Sequence, residues 1–292
     1  AGFIGYHTAK KFLDKGIIVH GLDSINSYYD INLKKSRLKL LQKYKNFSFT
    51  KGLLEKYKSL NQSVSSFKPT IIIHLAAQTS VAYSFTHMKE VFDVNFIGVF
   101  NMAEAARREV PNLKRFIWSG SAEEYGIQPE KNYPVKEDDI QLHAASPYGV
   151  AKIAAENFLK YLHQAYGFPA IIFRNANSFG RKHNHQFVIE SIIYQMIHGE
   201  SLIKLGDPEP IRDFIFEEDL LNAYVLAAES DNKEILGEAV NITNGEPVAI
   251  RDLAEKIRKI TGYSGEIQWN SFPKRALEIP KLNMDNSKVK RL

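Results

Sequence analysis

"AGFIGYHTAKKFLDKGIIVHGLD", residues 1–23, sets two glycines, Gly2 and Gly5, at the start of a helix-like stretch and follows them with an apolar run ending in an aspartate. Glycines at a helix N-terminus let the backbone approach a bound anion, and that helix end favours negative charge. Asp23 comes 18 residues after Gly5, near the spacing at which a carboxylate grips a ribose 2′-hydroxyl in a dinucleotide-binding βαβ unit. The same carboxylate repels a 2′-phosphate, so the pattern favours NAD over NADP. Gly2, Phe3, Ile4 and Gly5 are therefore the candidate pyrophosphate cradle, and Asp23 the candidate ribose ligand.

Outward from this stretch, short β-branched runs alternate with longer amphipathic ones. Strand-like runs fall at Ile17–Leu22, Phe47–Thr50, Thr70–Leu75, Leu113–Trp118 and Pro169–Phe173. Helix-like stretches lie between them at Tyr6–Lys15, Asn32–Tyr44, Glu55–Phe67, Met88–Val110 and Ser146–Tyr166. Such alternation predicts an α/β fold with a parallel sheet covered on both faces. Beyond residue 176 the order loosens, with helices expected at Phe187–Gly199, Glu217–Ser230 and Ile250–Thr261, and short strands at Leu202–Lys204, Ala239–Ile242 and Glu266–Trp269. The expected division is a dinucleotide-binding domain over 1–175 and a smaller substrate-binding lobe over 176–292, with about 211–242 returning to the first. The opening on Ala1 inside a motif, and a last helix that stops after barely a turn, read as a chain cut at both ends, its first strand missing.

Composition narrows the classes. No apolar run approaches the ~20 residues a membrane helix needs, and no signal-peptide pattern is present. The chain has no cysteine, which excludes disulfides and thiol catalysis and fits a reducing cytoplasm. A net charge of +5 without a basic, aromatic-interleaved stripe argues against nucleic acid as a partner.

"SPYGVAK" (146–152) places Tyr148 and Lys152 four residues apart on one helix face. A lysine beside a phenol favours the phenolate, and such a tyrosine can take a hydroxyl proton as a hydride departs. Tyr6 and Lys10 share the spacing, but they sit inside the helix after the glycines.

These stretches, with "HLAAQTSV" (74–81), "VNFIGVFNMAEAAR" (94–107), "SGSAEEYG" (119–126), "RNANSFG" (174–180), "IRDF" (211–214) and "RALEIPKLNMDNSK" (275–288), make the chain resemble the extended short-chain dehydrogenase/reductases, the NAD-dependent nucleotide-sugar epimerases and dehydratases. The resemblance implies a Rossmann-type doubly wound parallel sheet with a smaller C-terminal substrate-binding lobe. It implies NAD, a nucleotide-diphosphate sugar, a transient 4-keto sugar, and a homodimer built on the helices near 88–109 and 146–166. It also implies roles: Ser121 on the sugar 4-hydroxyl, Tyr148 as base, Lys152 as its activator, and Leu75, Ala76 and Ala77 along the cofactor. Asn177 falls where the family contacts phosphates, and Arg212 and Arg275 where it holds the pyrophosphate or nucleotide. Two departures stand out: Leu53 replaces the Asp that often reaches adenine, and Arg181 replaces the usual proline. His183 and His185 lack a third partner, so no metal is expected.

Oxidising a sugar at C4 acidifies the C5 proton, and a carboxylate beside C5 can remove it so that water leaves from C6. Aligned on Tyr125-Gly126, Glu123 stands where GDP-mannose 4,6-dehydratases carry that base, with Glu124 read as a solvated neighbour. The first expectation is therefore a GDP-mannose-type 4,6-dehydratase. The alternative is a UDP-sugar 4-epimerase, since "GLDSINSYYDINLKKSRLKLL" (21–41) resembles UDP-glucuronate 4-epimerases. An alternative of another class is a non-catalytic binder of NAD and nucleotide sugar.

Overall fold

The computed structural model describes residues 1–138, 141–199 and 201–292. The elements run α1 (Phe3–Asp14), β1 (Val19–Asp23), α2 (Ile31–Leu41), β2 (Phe47–Lys51), α3 (Tyr57–Phe67), β3 (Ile71–His74), α4 (Val81–Ser84), α5 (Met88–Phe92), α6 (Gly98–Glu109) and β4 (Arg115–Ser119). There follow α7 (Pro147–Tyr166), β5 (Ala170–Asn175), β6 (Asn177–Phe179), α8 (Val188–Ile197), β7 (Leu202–Lys204), β8 (Ile211–Arg212), β9 (Phe214–Phe216) and α9 (Glu217–Glu229). The chain closes with β10 (Ala239–Ile242), β11 (Val248–Ala249), α10 (Ile250–Thr261), β12 (Glu266–Gln268) and α11 (Ser287–Arg291).

The larger sheet is parallel, in the order β10-β5-β4-β3. Its central strands alternate faces with the period of two that a strand dictates. Phe116 and Trp118 of β4 pack with Leu159 of α7 and Ala103 of α6, whereas Ile117 packs with Leu220 and Tyr224 of α9. Helices therefore cover both faces, as near-continuous apolar strands require. A second parallel pair, β1-β2, stands apart. Residues of β1 and β3 line the same cavity, and among the described residues no strand bridges them. The smaller lobe packs α8 and α10 against the parallel pair β12-β7. The segment 278–285 straps the two parts: Leu282 N–H donates to Ile211, and Asn241 Nδ2 to Asp285 O at 3.0 Å.

Two departures from the sequence reading have local causes. The single helix expected over Met88–Val110 is split by a π-helical turn at Asp93–Ile97. Asn95 is fully buried there, its Oδ1 accepting the Gln78 N–H at 2.8 Å and its Nδ2 donating to Gln78 O at 2.9 Å, which pins the loop after β3. Strand β6, parallel to β9, was too short to show as a run.

Helix α7 is set by its own sequence: Ser146 caps the Gly149 N–H at 3.1 Å, Pro147 opens the first turn, and Gly167 ends it in the left-handed conformation. It is joined to β5 by Arg174, whose Nε and Nη2 reach Glu156 at 2.9 and 2.5 Å with both side chains out of water. Removing one partner of such a pair strands the other charge. Arg174→Met is expected to lower the unfolding free energy by about 3–5 kcal/mol, read from chemical denaturation.

Candidate active site

Strand β4 ends at Ser119, and the chain turns at Gly120 into one turn of 3-10 helix, Ala122–Glu124. Gly120 is required there: a Cβ would come within 2.7 Å of Glu124 Oε1 and 2.9 Å of Phe173 O. Ser121 caps the turn, its Oγ accepting the Glu123 N–H at 3.2 Å. The Ser121 hydroxyl stands beside Tyr148 at the start of α7, close enough to act on its phenol. One helical turn later Lys152 donates to Ser119 O at 2.6 Å, its Nζ 5.7 Å from the centre of the Tyr148 ring. The other pair with this spacing lies elsewhere, Lys10 being spent on Asp14 at 2.6 Å.

The electrostatics differ from expectation in two places. Burial pushes the Tyr148 phenol up; the nearby Ser121 hydroxyl works against this, and Glu123 and Glu124 add to it. Lys152 is lowered by burial to about 8, with Glu124 opposing. Within the protein alone, then, Lys152 does not bring Tyr148 down, because desolvation outweighs an ammonium aimed at a backbone carbonyl. Glu124 is not a solvated neighbour but fully buried. Glu123 is half-buried and faces the cavity; burial raises its carboxyl, while Arg212 and Arg275 pull it the other way.

The cavity measures about 1680 Å³, beyond the ~300–1,000 Å³ usual for one small ligand. Gly2, Phe3, Ile4, Gly5, Asp23, Leu75, Ala76 and Ala77 line it together with Ser121, Glu123, Tyr148, Lys152, Asn177, Arg212 and Arg275. A dinucleotide fits the first group. Gly2 caps α1 without a side-chain bond, leaving backbone N–H groups free. A Cβ would meet nothing within 4 Å at Gly2 and only Leu75 at 4.0 Å at Gly5. The protein's own packing thus does not demand glycine at either place, and both leave room for a ligand to approach the backbone closely. Asp23 is half-buried, which acts to raise its carboxyl, while the Ile25 N–H at 2.7 Å acts to lower it.

At the other end of the cavity, Asn177 is exposed on β6. Arg212 is buried and paired with Glu278 at 2.7 Å; Arg275 reaches the same carboxylate at 3.5 Å. Sequence reasoning missed Glu278, although its place in "RALEIP" between two expected contacts was a signal. It also missed Lys182 and Glu190, which line the cavity 3.6 Å apart. His185 packs on the Tyr194 ring at 3.9 Å, and among the described residues no three acidic or histidine side chains form a metal-sized cluster.

Gly149 lies directly behind this site: a Cβ there would come within 2.9 Å of Glu123 O and 3.0 Å of the Ala144 Cβ. Gly149→Ala is expected to displace the Ser121–Glu124 turn, lowering turnover and costing about 1–3 kcal/mol of stability, read by steady-state kinetics and denaturation.

Residues 1–243 match the model of the NAD dependent epimerase/dehydratase family. The chain is 30% identical over 277 residues to Protein CapI of Staphylococcus aureus, covering 90% of this chain and 81% of that one. It is 28% identical to "Probable UDP-glucuronate 4-epimerase" of Rhizobium meliloti, covering 96% and 85%. Its structure resembles the UDP-glucose 4-epimerase of Thermotoga maritima, crystallised with UDP-glucose, with a TM-score of 0.86 at 29% identity over 100% of this chain and 89% of that one.

Proposed function

The chain belongs to the NAD dependent epimerase/dehydratase family, and from that premise we propose that it is a 4-epimerase of a UDP-hexose. The observation that carries this reading is the convergence of Ser121, Tyr148 and, one turn beyond, Lys152 on a cavity that also receives the bare N-terminus of α1 and Asp23. Tyr148 takes the proton of the sugar 4-hydroxyl as the C4 hydrogen departs as hydride, and Ser121 holds that hydroxyl in line. NAD held along Gly2–Gly5 and Asp23 would supply the acceptor and then the donor of the hydride. Lys152 adds its own charge, and opposite charge favours the phenolate that burial alone disfavours. Return of the hydride to the other face of C4, with the proton returned by Tyr148, inverts the centre and leaves the composition unchanged.

The relatives' names favour the epimerase over the 4,6-dehydratase first expected from "SAEE". Glu123 supports an uncharged hexose rather than a uronate, because a sugar carboxylate brought beside a half-buried carboxyl meets like charge. It also keeps the dehydratase as a second reading, since a carboxyl raised by burial suits a base at C5.

The test is product analysis with NAD and, in separate reactions, UDP-glucose, UDP-galactose, UDP-glucuronate and GDP-mannose. The expected result is interconversion of the two UDP-hexoses at constant mass, lowered about 100-fold or more by Tyr148→Phe. Loss of one water from any substrate, abolished by Glu123→Gln, would replace the reading with the dehydratase.

A homodimer is part of the same proposal. Phe100 of α6, 39% exposed, stacks with Phe158 at 5.0 Å, and Tyr161 and Tyr166 of α7 are 53% and 57% exposed. This aromatic strip suits burial against a second copy. Light scattering is expected to give twice the chain mass, and Phe100→Glu with Tyr161→Glu to give the single mass.

A further inference from the structure

Among the fully buried carboxyl groups that the chemistry above leaves unused is that of Glu124. Glu124 follows Glu123 directly and has no exposed surface. Its Oε1 accepts the Ser121 N–H at 2.6 Å and closes the capping box of the turn. Its Oε2 is buried and receives no hydrogen bond among the described residues. Near it on α7 stands a second fully buried carboxyl, that of Glu156, and the two act on each other.

Two neighbouring carboxyl groups out of water do not both ionise. The cations around them decide which keeps the proton. Arg174 from β5 grips Glu156 with two nitrogens, and Lys160 of α7 reaches it at 2.8 Å. Both act against the burial of Glu156 and bring its carboxyl down to about 2. Glu124 has no such partner: burial and then Glu156 push it well up, against a weaker pull from Arg174. The remaining titratable neighbours are Lys152, lowered to about 8 by burial, and the phenols of Tyr125 and Tyr148, both raised by burial.

We propose that Glu124 is a positioning residue that works as a neutral carboxylic acid. Oε1 accepts from the Ser121 backbone while the Oε2 hydroxyl donates to Glu156. The turn that carries Ser121 and Glu123 is thereby latched to the helix that carries Tyr148 and Lys152. Every polar atom of the pair is then satisfied, which buried groups require. Gly120 leaves the room the latch occupies, since a Cβ there would lie 2.7 Å from Glu124 Oε1. The effect on turnover rests on the epimerase reading; the proton itself does not.

The experiment uses the full chain with NAD. In infrared difference spectra at neutral pH, Glu124→Gln is expected to lose a carbonyl stretch of a protonated carboxyl present in the wild type. Glu124→Leu is expected to lower kcat for the UDP-hexose by about tenfold or more at nearly unchanged KM, since a displacement of about 1 Å can cost about 100-fold. Glu124→Gln keeps an acceptor for Ser121 and an N–H donor for Glu156, so it should restore most of that loss. Thermal stability gives an independent reading. A carboxyl raised above its unfolded value of 4.5 contributes most below that value and less as pH climbs towards the raised one. The Tm of the wild type relative to Glu124→Gln should therefore fall as pH rises from about 5. An unchanged infrared difference, or a Gln variant as impaired as the Leu variant, overturns the proposal. If the Leu variant does not fold, or no nucleotide sugar turns over, the infrared band and the pH trend still decide, and the second case counts against the epimerase reading alone.

Discussion

Arg174 is a cation with almost no access to water, placed on a central strand of the larger sheet, and a charge in that position must be answered on all sides. Glu156 answers it from α7, the Tyr125 hydroxyl accepts from it at 2.9 Å, and Glu137 O accepts at 3.1 Å. The Tyr125 hydroxyl donates in turn to Asn241 Oδ1 at 2.6 Å, and Asn241 is also bound by Glu137 and by the segment ahead of α11. One buried guanidinium thus ties the central strand, the long helix, the turn after β4 and the C-terminal strap into one body. Hydrophobic layers alone would let these parts slide; a network in which each member has one acceptable partner does not.

That body has its polar interior directly behind the reacting face. The turn Ala122–Glu124 is short enough that consecutive side chains point opposite ways: Glu123 into the cavity, Glu124 into the network. Helix α7 has the same division along its length, with Tyr148 and Lys152 towards the cavity and Glu156 towards Arg174. The site is therefore rigid where it is built and open where it acts, with the smaller lobe bringing Arg212, Arg275 and Asn177 to the far side. Preorganisation of this kind keeps the Ser121 hydroxyl and Tyr148 in register before any substrate arrives.

The alternation of strands and helices was legible because each run is long enough for its period to show, and α7 was legible to within one residue because Ser146, Pro147 and Gly167 punctuate it. That Tyr148 and Lys152 share the cavity was legible through a motif in which context chose between two equal spacings, and that Ser121 joins them through the family resemblance. The strands of two or three residues were not, since their pairing is set by partners distant in sequence. The electrostatics were least legible. A lysine four residues from a tyrosine reads as an activator, yet its ammonium is directed to Ser119 O and burial dominates both groups. Two adjacent glutamates read as one functional and one solvated, yet the second is the more deeply buried, because its partners Glu156 and Arg174 lie 32 and 50 positions away.

The choice between inverting a sugar at C4 and stripping water from it turns on what happens to the C5 proton, which becomes acidic in both reactions once C4 is a ketone. An epimerase needs the proton left alone; a dehydratase needs a carboxylate on it. Glu123 is the only one of the two neighbouring glutamates that can reach the sugar, and it stands in the field of Arg212 and Arg275, which are themselves bridged by Glu278. Cations drawing on a carboxylate weaken it as a base, whereas burial strengthens it, and burial is the larger influence here. Retaining C5 in an epimerase therefore depends on distance and orientation rather than on basicity. The capping box of the Ser121 turn, closed by Glu124, fixes both.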